Sequence, residues 1–288
     1  MEPRFYEDIE EFYKVSYPFL MKNEAENNLP LSILISLRNN MKVYGETKPL
    51  LFSLIDSKIV KLIAIRTPPH DLIISFTDDL STIEVLTEEL KKKREKLPGV
   101  LSFKEGAEKF AEQWCEKNSL KYDLFRKERI YKLVRVSEET LGNRKFSVAR
   151  KDHKELVFQW VGEMMREALV NATEDDIQRM IKIIKEEFDQ NNSHMYLLFE
   201  NNDPVSMARE AGKTPNGVFV NFVYTPIHLR RRGYATECVA KLSKHLLELG
   251  NRYCFLFTDL SNPTSNNIYQ QIGYRPVIDE NHYKFMEK

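Results

Sequence analysis

The chain has 288 residues, a length that suits about two domains of ordinary size. Its composition is 42% hydrophobic and 11% aromatic, which supplies a large core and excludes a disordered or fibrous protein. Lys plus Arg and Asp plus Glu number 43 each, so the formal net charge is zero. No global attraction to nucleic acid or to an anionic membrane is therefore expected.

The cysteines and the first residues indicate a compartment. Cys115, Cys238 and Cys254 show neither CxxC nor metal-ligand spacing, so they are expected to be reduced, buried thiols, and no metal site is expected. The N-terminal residues are acidic and aromatic, without the features of a secretory signal. Apolar runs are strand-sized, well below the ~20 residues of a membrane helix. These features predict a cytoplasmic protein.

In the first half, apolar residues with helical period predict helices over 4–22 and 31–39. From residue 50 onward the pattern is a strand, a turn carrying Asp56, a second strand, a Thr67-Pro68 turn and a third apolar strand. Residues 137–150 are polar and contain Gly142-Asn143, a composition that predicts a linker between domains.

The second half begins with two predicted helices and continues as a mixed sheet. The helices cover 151–170 and 173–190, and Thr173 with the acidic residues after it has the pattern of a helix N-cap. The further predicted elements are strands 194–200, 204–211 and 217–225, helix 232–249, strand 253–259, helix 263–272 and strands 274–287. Three antiparallel strands followed by a strand–helix–strand crossover predict a mixed α/β (α+β) sheet.

The two halves resemble each other in sequence. At an offset of 147 residues, Leu50-Leu51-Phe52 aligns with Leu197-Leu198-Phe199 and Thr67-Pro68 with Thr214-Pro215. At an offset of 152, Tyr122 aligns with Tyr274, Glu128 with Glu280 and Tyr131-Lys132 with Tyr283-Lys284. Two matches in the same order predict a duplicated domain, with copies at 1–136 and 151–288 joined by the linker 137–150.

The segment between strand 217–225 and helix 232–249 has the pattern of a phosphate-binding turn. Arg230, Gly233 and Ala235 stand at the start of the helix in an Arg-x-x-Gly-x-Ala arrangement. The first turn of a helix has about four unpaired N–H groups and roughly half a unit of positive charge. A glycine there lets an anion approach closely, and arginines add charge-assisted contacts to phosphate oxygens. A solvated basic patch is the alternative interpretation of the arginines.

With these motifs, residues 150–288 resemble the GNAT superfamily of acyl-CoA-dependent N-acyltransferases. The resemblance rests on Val223-Tyr224-Thr225, on residues 230–235, and on the segment from Thr258 through Asn262 and Tyr269 to Tyr274. It implies tandem GNAT-like mixed sheets flanked by helices, with a splayed strand beside the pantetheine arm of acetyl-CoA. The site residues it implies are Val223, Tyr224 and Thr225 beside the pantetheine; Arg230, Arg231, Arg232, Gly233, Tyr234, Ala235 and Thr236 around the diphosphate; Asn262 on the pantetheine arm; and Tyr269 as general acid.

Two departures from the family pattern stand out. Many members carry a Glu as general base on the splayed strand, where this sequence has Asn221. In the first half, the offset of 147 aligns the turn with residues 83–88, which carry Glu84 and Glu88 and no glycine, and the offset of 152 aligns Lys117 with Tyr269. The first half is therefore expected to be a degenerate copy without a cofactor site.

The resemblance implies an N-acetyltransferase that moves the acetyl group of acetyl-CoA to a primary amine on an unidentified small molecule or peptide, by direct attack. A backbone N–H near Val223 and Tyr224 would stabilise the oxyanion, and Tyr269 would protonate the thiolate. The alternatives are a non-catalytic acyl-CoA-binding or regulatory protein, a nucleic-acid-binding module, and a purely packing role for Tyr269. No nucleic-acid or membrane partner is expected, and the chain is expected to be a monomer with pseudo-dimeric halves or a homodimer.

Overall fold

The computed structural model describes residues 1–168 and 173–288, with the side chains of 263–265 excepted. The first half contains β1 (Glu2–Phe5), α1 (Ile9–Leu20), α2 (Asn28–Asn39), β2 (Leu50–Asp56), β3 (Ile59–Arg66), β4 (Leu72–Ile74), α3 (Ser81–Lys92), β5 (Gly99–Phe103), α4 (Lys104–Asn118) and β6 (Leu120–Leu133). The second contains β7 (Lys145–Val148), α5 (Lys154–Ala168), α6 (Glu174–Asp189), β8 (Met195–Glu200), β9 (Asp203–Lys213), β10 (Gly217–Tyr224), α7 (Tyr234–Glu248), β11 (Tyr253–Asp259), α8 (Pro263–Ile272) and β12 (Arg275–Glu287).

The chain forms two compact units. Unit 1 comprises residues 1–130, 258–261 and 276–288, and unit 2 comprises residues 131–257 and 262–275. In unit 1 the strands follow the order β1-β2-β3-β4-β5-β12 and then the first part of β6. Neighbours β1 to β4 are antiparallel, whereas β4 and β5 are parallel. Helices α3 and α4 contribute to one buried cluster of the sheet, and α1 and α2 to another.

Unit 2 has the same plan. Its order is the end of β6, then β11-β10-β9-β8-β7, with antiparallel neighbours from β7 to β10 and a parallel pair β10–β11. Helices α7 and α8 contribute to the buried cluster on one face, and α5 and α6 to the other. The predicted N-cap of α6 is confirmed, because Thr173 Oγ1 accepts a hydrogen bond from the N–H of Asp176 at 3.2 Å.

The element order β-α-α-β-β-β-α-β-α-β occurs once in each half of the chain, and the pairing pattern of the first five strands repeats with it. The predicted mixed α/β class is confirmed. The compact units depart from the linear division of the sequence at the end of the chain. Strand β12 lies in unit 1, where it runs antiparallel to β5 with Glu280 opposite Phe103.

Three predicted elements differ in the structure. Residues 4 and 5, at the start of the helix predicted over 4–22, belong instead to β1, which runs along β2. Residues 145–148, predicted as linker, form β7 along β8, because Phe146 alternates with polar neighbours and stacks on Tyr196 at 5.4 Å between ring centres. The helix predicted over 151–170 begins with a 3-10 turn and continues as α5 to Ala168; positions 169 and 170 lie outside the described residues.

The cysteines are free and buried, as predicted. Burial raises the pKa of the Cys254 thiol to about 12, so the thiol is neutral at physiological pH. Over residues 1–168 and 173–288, no helix is long and apolar enough to cross a membrane. Among these same residues, no group of three or more His, Cys, Asp or Glu side chains could hold a metal ion.

Candidate functional site

The central feature of unit 2 is the divergence of two parallel strands. The described pairs between β10 and β11 extend only from Gly217 to Phe219, although β10 continues to Tyr224 and β11 to Asp259. Beyond Phe219 the two strands have no further ladder pair among the described residues, and the rings of Phe219 and Phe257 stack at 5.6 Å between them. This gap corresponds to the splayed strand that the resemblance implies.

A bulge lies on β10 within the gap. The register with β9 shifts between Asn221 and Tyr224, and Phe222 has a positive φ of 47°. A bulge leaves one residue outside the ladder and turns its peptide groups in a new direction. The ladder between β10 and β9 is thus interrupted next to Val223. The side chain of Asn221 is exposed.

The turn after β10 has two residues in the left-handed region, Arg231 at φ 63° and Gly233 at φ 78°. Gly233 is the N-cap of α7. A Cβ on Gly233 would meet no heavy atom within 4 Å, so glycine is favoured there by its φ, and the space above it is open. An open helix N-terminus with Arg231 and Arg232 exposed beside it fits a diphosphate group.

Arg230 has a different environment from its two neighbours. Its Nε donates to the carbonyl of Thr225 at 2.9 Å, and its Nη1 and Nη2 donate to the carboxylate of Glu167 at 2.7 and 2.6 Å. This bidentate pair fastens the turn to α5. Arg230 therefore has a structural contact in addition to its predicted contact with phosphate.

Tyr224 and Thr225 are anchored through their polar groups. Ser206 Oγ lies 3.0 Å from the carbonyl of Tyr224, to which it donates, and 2.9 Å from Thr225 Oγ1. Tyr224 Oη donates to Glu163 at 2.9 Å, and burial together with this carboxylate raises the pKa of Tyr224 to about 12. These contacts hold the end of β10 in place, and the carbonyls of Tyr224 and Thr225 are already hydrogen-bonded, to Ser206 and Arg230. Val223 packs against the cluster under α7.

The first turn of α7 borders a cavity of about 540 Å³, which is lined by Glu139, Thr140, Gly142, Arg144, Gly233, Thr236, Glu237 and Gln271. Tyr234 is buried under the helix and Ala235 is half-buried. Of the predicted diphosphate-binding residues, Gly233 and Thr236 line this cavity. The segment 139–144, predicted as linker, supplies the opposite wall.

Tyr269 lies on α8 among other aromatic rings. Its ring centre is 6.4 Å from that of Tyr131 and 6.0 Å from that of Tyr274. The side chain is 8% exposed, and burial raises its pKa to about 12. No other group in the described part of the chain makes a hydrogen bond with its Oη. Tyr269 is therefore a neutral phenol whose proton is not already donated to the protein.

Asn262 lies immediately before α8. Its carbonyl accepts hydrogen bonds from the backbone N–H of Asn266 at 3.2 Å and from Asn266 Nδ2 at 2.7 Å. The residue thus holds the beginning of the helix that carries Tyr269, and it is exposed.

Two titratable side chains, on β9 and just after β10, are candidate proton acceptors. His228 is exposed in the 3-10 turn after β10. Glu210 is buried and pairs with Lys213 at 2.8 Å and with His194 Nδ1 at 3.7 Å. The carboxylate of Glu210 is thus already paired, whereas the imidazole of His228 makes no hydrogen bond with the described residues. The supporting residues Glu163 and Glu167 were not identified from the sequence, although their i, i+4 spacing on one face of α5 was a usable signal.

The end of β4 in unit 1 is tied to β5 by side chains. Strand β4 ends at Ile74, and Ser102 Oγ of β5 donates to the carbonyl of Ile74 at 2.9 Å. The rings of Phe76, just after β4, and Phe103, at the end of β5, pack edge to face at 5.3 Å. That the first half has no cofactor site stays a prediction.

The segment that replaces the turn in unit 1 is residues 75–80, between β4 and α3. The alignment at an offset of 147 predicts that residues 83–88 are the counterpart of the turn. This prediction is wrong, because these residues lie inside α3. The true counterpart contains Asp78 and Asp79 and no glycine or arginine. Lys117, aligned with Tyr269, is on α4 and pairs with Glu88 at 2.5 Å.

In a comparison with known proteins, residues 157–274 match the Acetyltransferase (GNAT) family. Three solved structures share the fold over nearly their whole length, although their sequence identity is low. They are a GNAT-family acetyltransferase from Colwellia psychrerythraea (10% identity, 100% of both chains, TM-score 0.60), a GCN5-related N-acetyltransferase from Sphaerobacter thermophilus (12%, 100% of this chain and 96% of that one, 0.64) and a Drosophila protein (10%, 99% and 98%, 0.63). No curated protein matches the sequence.

Proposed function

We propose that unit 2 transfers the acetyl group of acetyl-CoA to a primary amine of a small molecule or peptide in the cytoplasm. The observation that carries this proposal is the gap between β10 and β11 leading to an open helix N-terminus at Gly233. The proposed reaction needs no metal, nucleic acid or membrane.

Each part of the site has a distinct proposed role. The diphosphate binds at the first turn of α7 beside Arg231 and Arg232. The backbone at the bulge, next to Val223, donates to the acyl oxygen, where negative charge develops during attack. Tyr269 donates its proton to the departing sulfur. With Asn221 on the splayed strand, the acceptor amine enters as the neutral form or loses its proton to water.

A non-catalytic acyl-CoA-binding protein is the second candidate, because Asn221 cannot act as a general base. A panel of primary amines assayed by release of free thiol from acetyl-CoA separates the two. Turnover with any amine above the rate without amine supports the transferase. Binding of acetyl-CoA without turnover across the panel supports the second candidate.

The donor site itself is tested with Gly233→Asp. Acetyl-CoA at about 100 times its Kd should stabilise the native protein by about 2.7 kcal/mol and raise its melting temperature. The aspartate puts a carboxylate where the diphosphate is proposed to bind, so this rise should disappear. Gly250→Asp is the matched control, because Gly250 follows the other end of α7, has a φ of 97°, and a Cβ there would also meet no heavy atom within 4 Å.

The control must keep the acetyl-CoA-dependent rise in melting temperature, since it introduces the same residue in the same backbone region. If Gly233→Asp also keeps the full rise, the turn is not the donor site and the proposal fails.

A further inference from the structure

Segment 137–144, between the two predicted domains, is attached to the helices that frame the proposed donor site. The N–H of Ser137 donates to the carbonyl of Ile272 at the end of α8, at 2.8 Å. Gly142 has a φ of 49°, and a Cβ there would collide with the carboxyl group of Glu237 in the first turns of α7. The backbone at Gly142 thus lies so close to Glu237 of α7 that a residue with a Cβ would not fit there without a shift.

Arg144 makes the principal contact between this segment and α7. Its backbone N–H donates to Glu237 Oε1 at 2.9 Å, and its Nη1 donates to Glu237 Oε2 at 2.6 Å. Its guanidinium also pairs with Glu200 and lies 4.9 Å from the ring centre of Tyr234. Lys241 Nζ is 2.9 Å from Glu237 Oε1 and donates to the carbonyl of Arg144.

Glu237 creates an electrostatic problem for an anion site. Its side chain is 4% exposed, and burial by itself would raise its pKa. The hydrogen bonds from Lys241 and Arg144 outweigh that effect and hold its pKa below the usual value. Glu237 is therefore an anion at neutral pH, and it borders the same cavity as Gly233 and Thr236. Without compensation, its charge would oppose a diphosphate at the first turn of α7.

We propose that Arg144 is a positioning residue of the acyl-donor site, which holds the first turns of α7 in place and, together with Lys241, compensates the charge of Glu237. This inference rests on the proposed function of unit 2. It assigns a role in donor affinity to a segment that contributes no residue to the turn itself. Because its effect is exerted through Glu237, removing Glu237's charge should make Arg144 dispensable for affinity.

The test measures the Kd for acetyl-CoA by titration calorimetry. Arg144→Gln should raise the Kd at least tenfold and leave kcat at saturating acetyl-CoA within threefold, because Arg144 does not touch the reacting atoms. The double variant Arg144→Gln/Glu237→Gln should recover a Kd within threefold of the native value. A role confined to folding would not produce this recovery, since the second substitution removes further hydrogen bonds.

Two further variants keep the result interpretable. Arg144→Lys retains the positive charge and should bind acetyl-CoA more tightly than Arg144→Gln. Asp279→Asn breaks a comparable pair in unit 1, in which Arg129 donates to Asp279 at 2.6 and 2.9 Å, and it should leave the Kd unchanged even if the melting temperature falls.

The proposal is overturned if Arg144→Gln changes the Kd less than threefold, or if the double variant binds no better than the single one. Native protein that fails to bind acetyl-CoA at all would instead refute the proposed function of unit 2 and this inference with it.

Discussion

Replacement of Tyr269 by Phe is the sharpest test of the proposed chemistry, because it removes one oxygen and keeps the ring. The ring packs between Tyr131 and Tyr274, and Phe preserves this packing. The hydroxyl makes no hydrogen bond within the described part of the chain, so its removal breaks none. The expected change in the free energy of unfolding is therefore below about 1 kcal/mol.

The expected loss of activity follows from the environment of the phenol. Burial raises the pKa of Tyr269 to about 12, so the phenol keeps its proton at neutral pH and can donate it. General acids contribute about 10²–10⁴-fold, and kcat of Tyr269→Phe should fall by this amount.

The assay is release of free thiol at saturating acetyl-CoA and amine, measured from pH 6 to pH 9. Because the phenol is protonated below a pKa of about 12, the ratio of native to variant kcat should be constant over this range. The Kd for acetyl-CoA should stay within threefold of the native value. Unchanged kcat over pH 6–9 would refute the role of the hydroxyl. A melting temperature that falls in proportion to the activity would instead show that Tyr269 serves packing alone.

Two other predictions concern unit 1. Glu280 is 5% exposed, and burial, with the nearby Glu128 charge, raises its pKa to about 8. Between about pH 4.5 and pH 8 the folded state therefore keeps a proton that the unfolded state has lost, so the free energy of unfolding should fall as the pH rises through this range. Glu280→Gln should reduce the difference in the free energy of unfolding between pH 5 and pH 8, measured by chemical denaturation. An unchanged difference would contradict the raised pKa of Glu280. Calorimetric titration should also give one acetyl-CoA per chain, since Ser102 and Ile74 hold β4 and β5 of unit 1 together; a stoichiometry of two would show that unit 1 retains a donor site.

Local patterns in the sequence were sufficient for much of unit 2. The apolar run of β10, the glycine at the start of α7 and the apolar face of that helix are all contiguous in the chain, so their spacing predicted a strand, a turn and a helix in the correct places. Phosphate binding at this turn stays a prediction. The cap at Thr173 was equally local. The repeat was visible because both copies kept the same order of elements, although the residues aligned with the turn in unit 1 were displaced into α3.

The features that the sequence did not reveal depend on which distant segments meet. The sequence pattern of β12 predicts a strand, but it does not say which neighbouring strand will pair with it. Only the tertiary structure shows that β12 pairs with β5 and belongs to unit 1. The charge of Arg230 predicts an anionic partner without identifying it, and Glu167 on α5 supplies one. Arg144 was predicted to lie in a polar linker, and in the structure it pairs with Glu237. In each case the sequence determined the chemical group, and the long-range packing determined its partner, because strand pairing and ion pairing are set by distances between segments far apart in the chain.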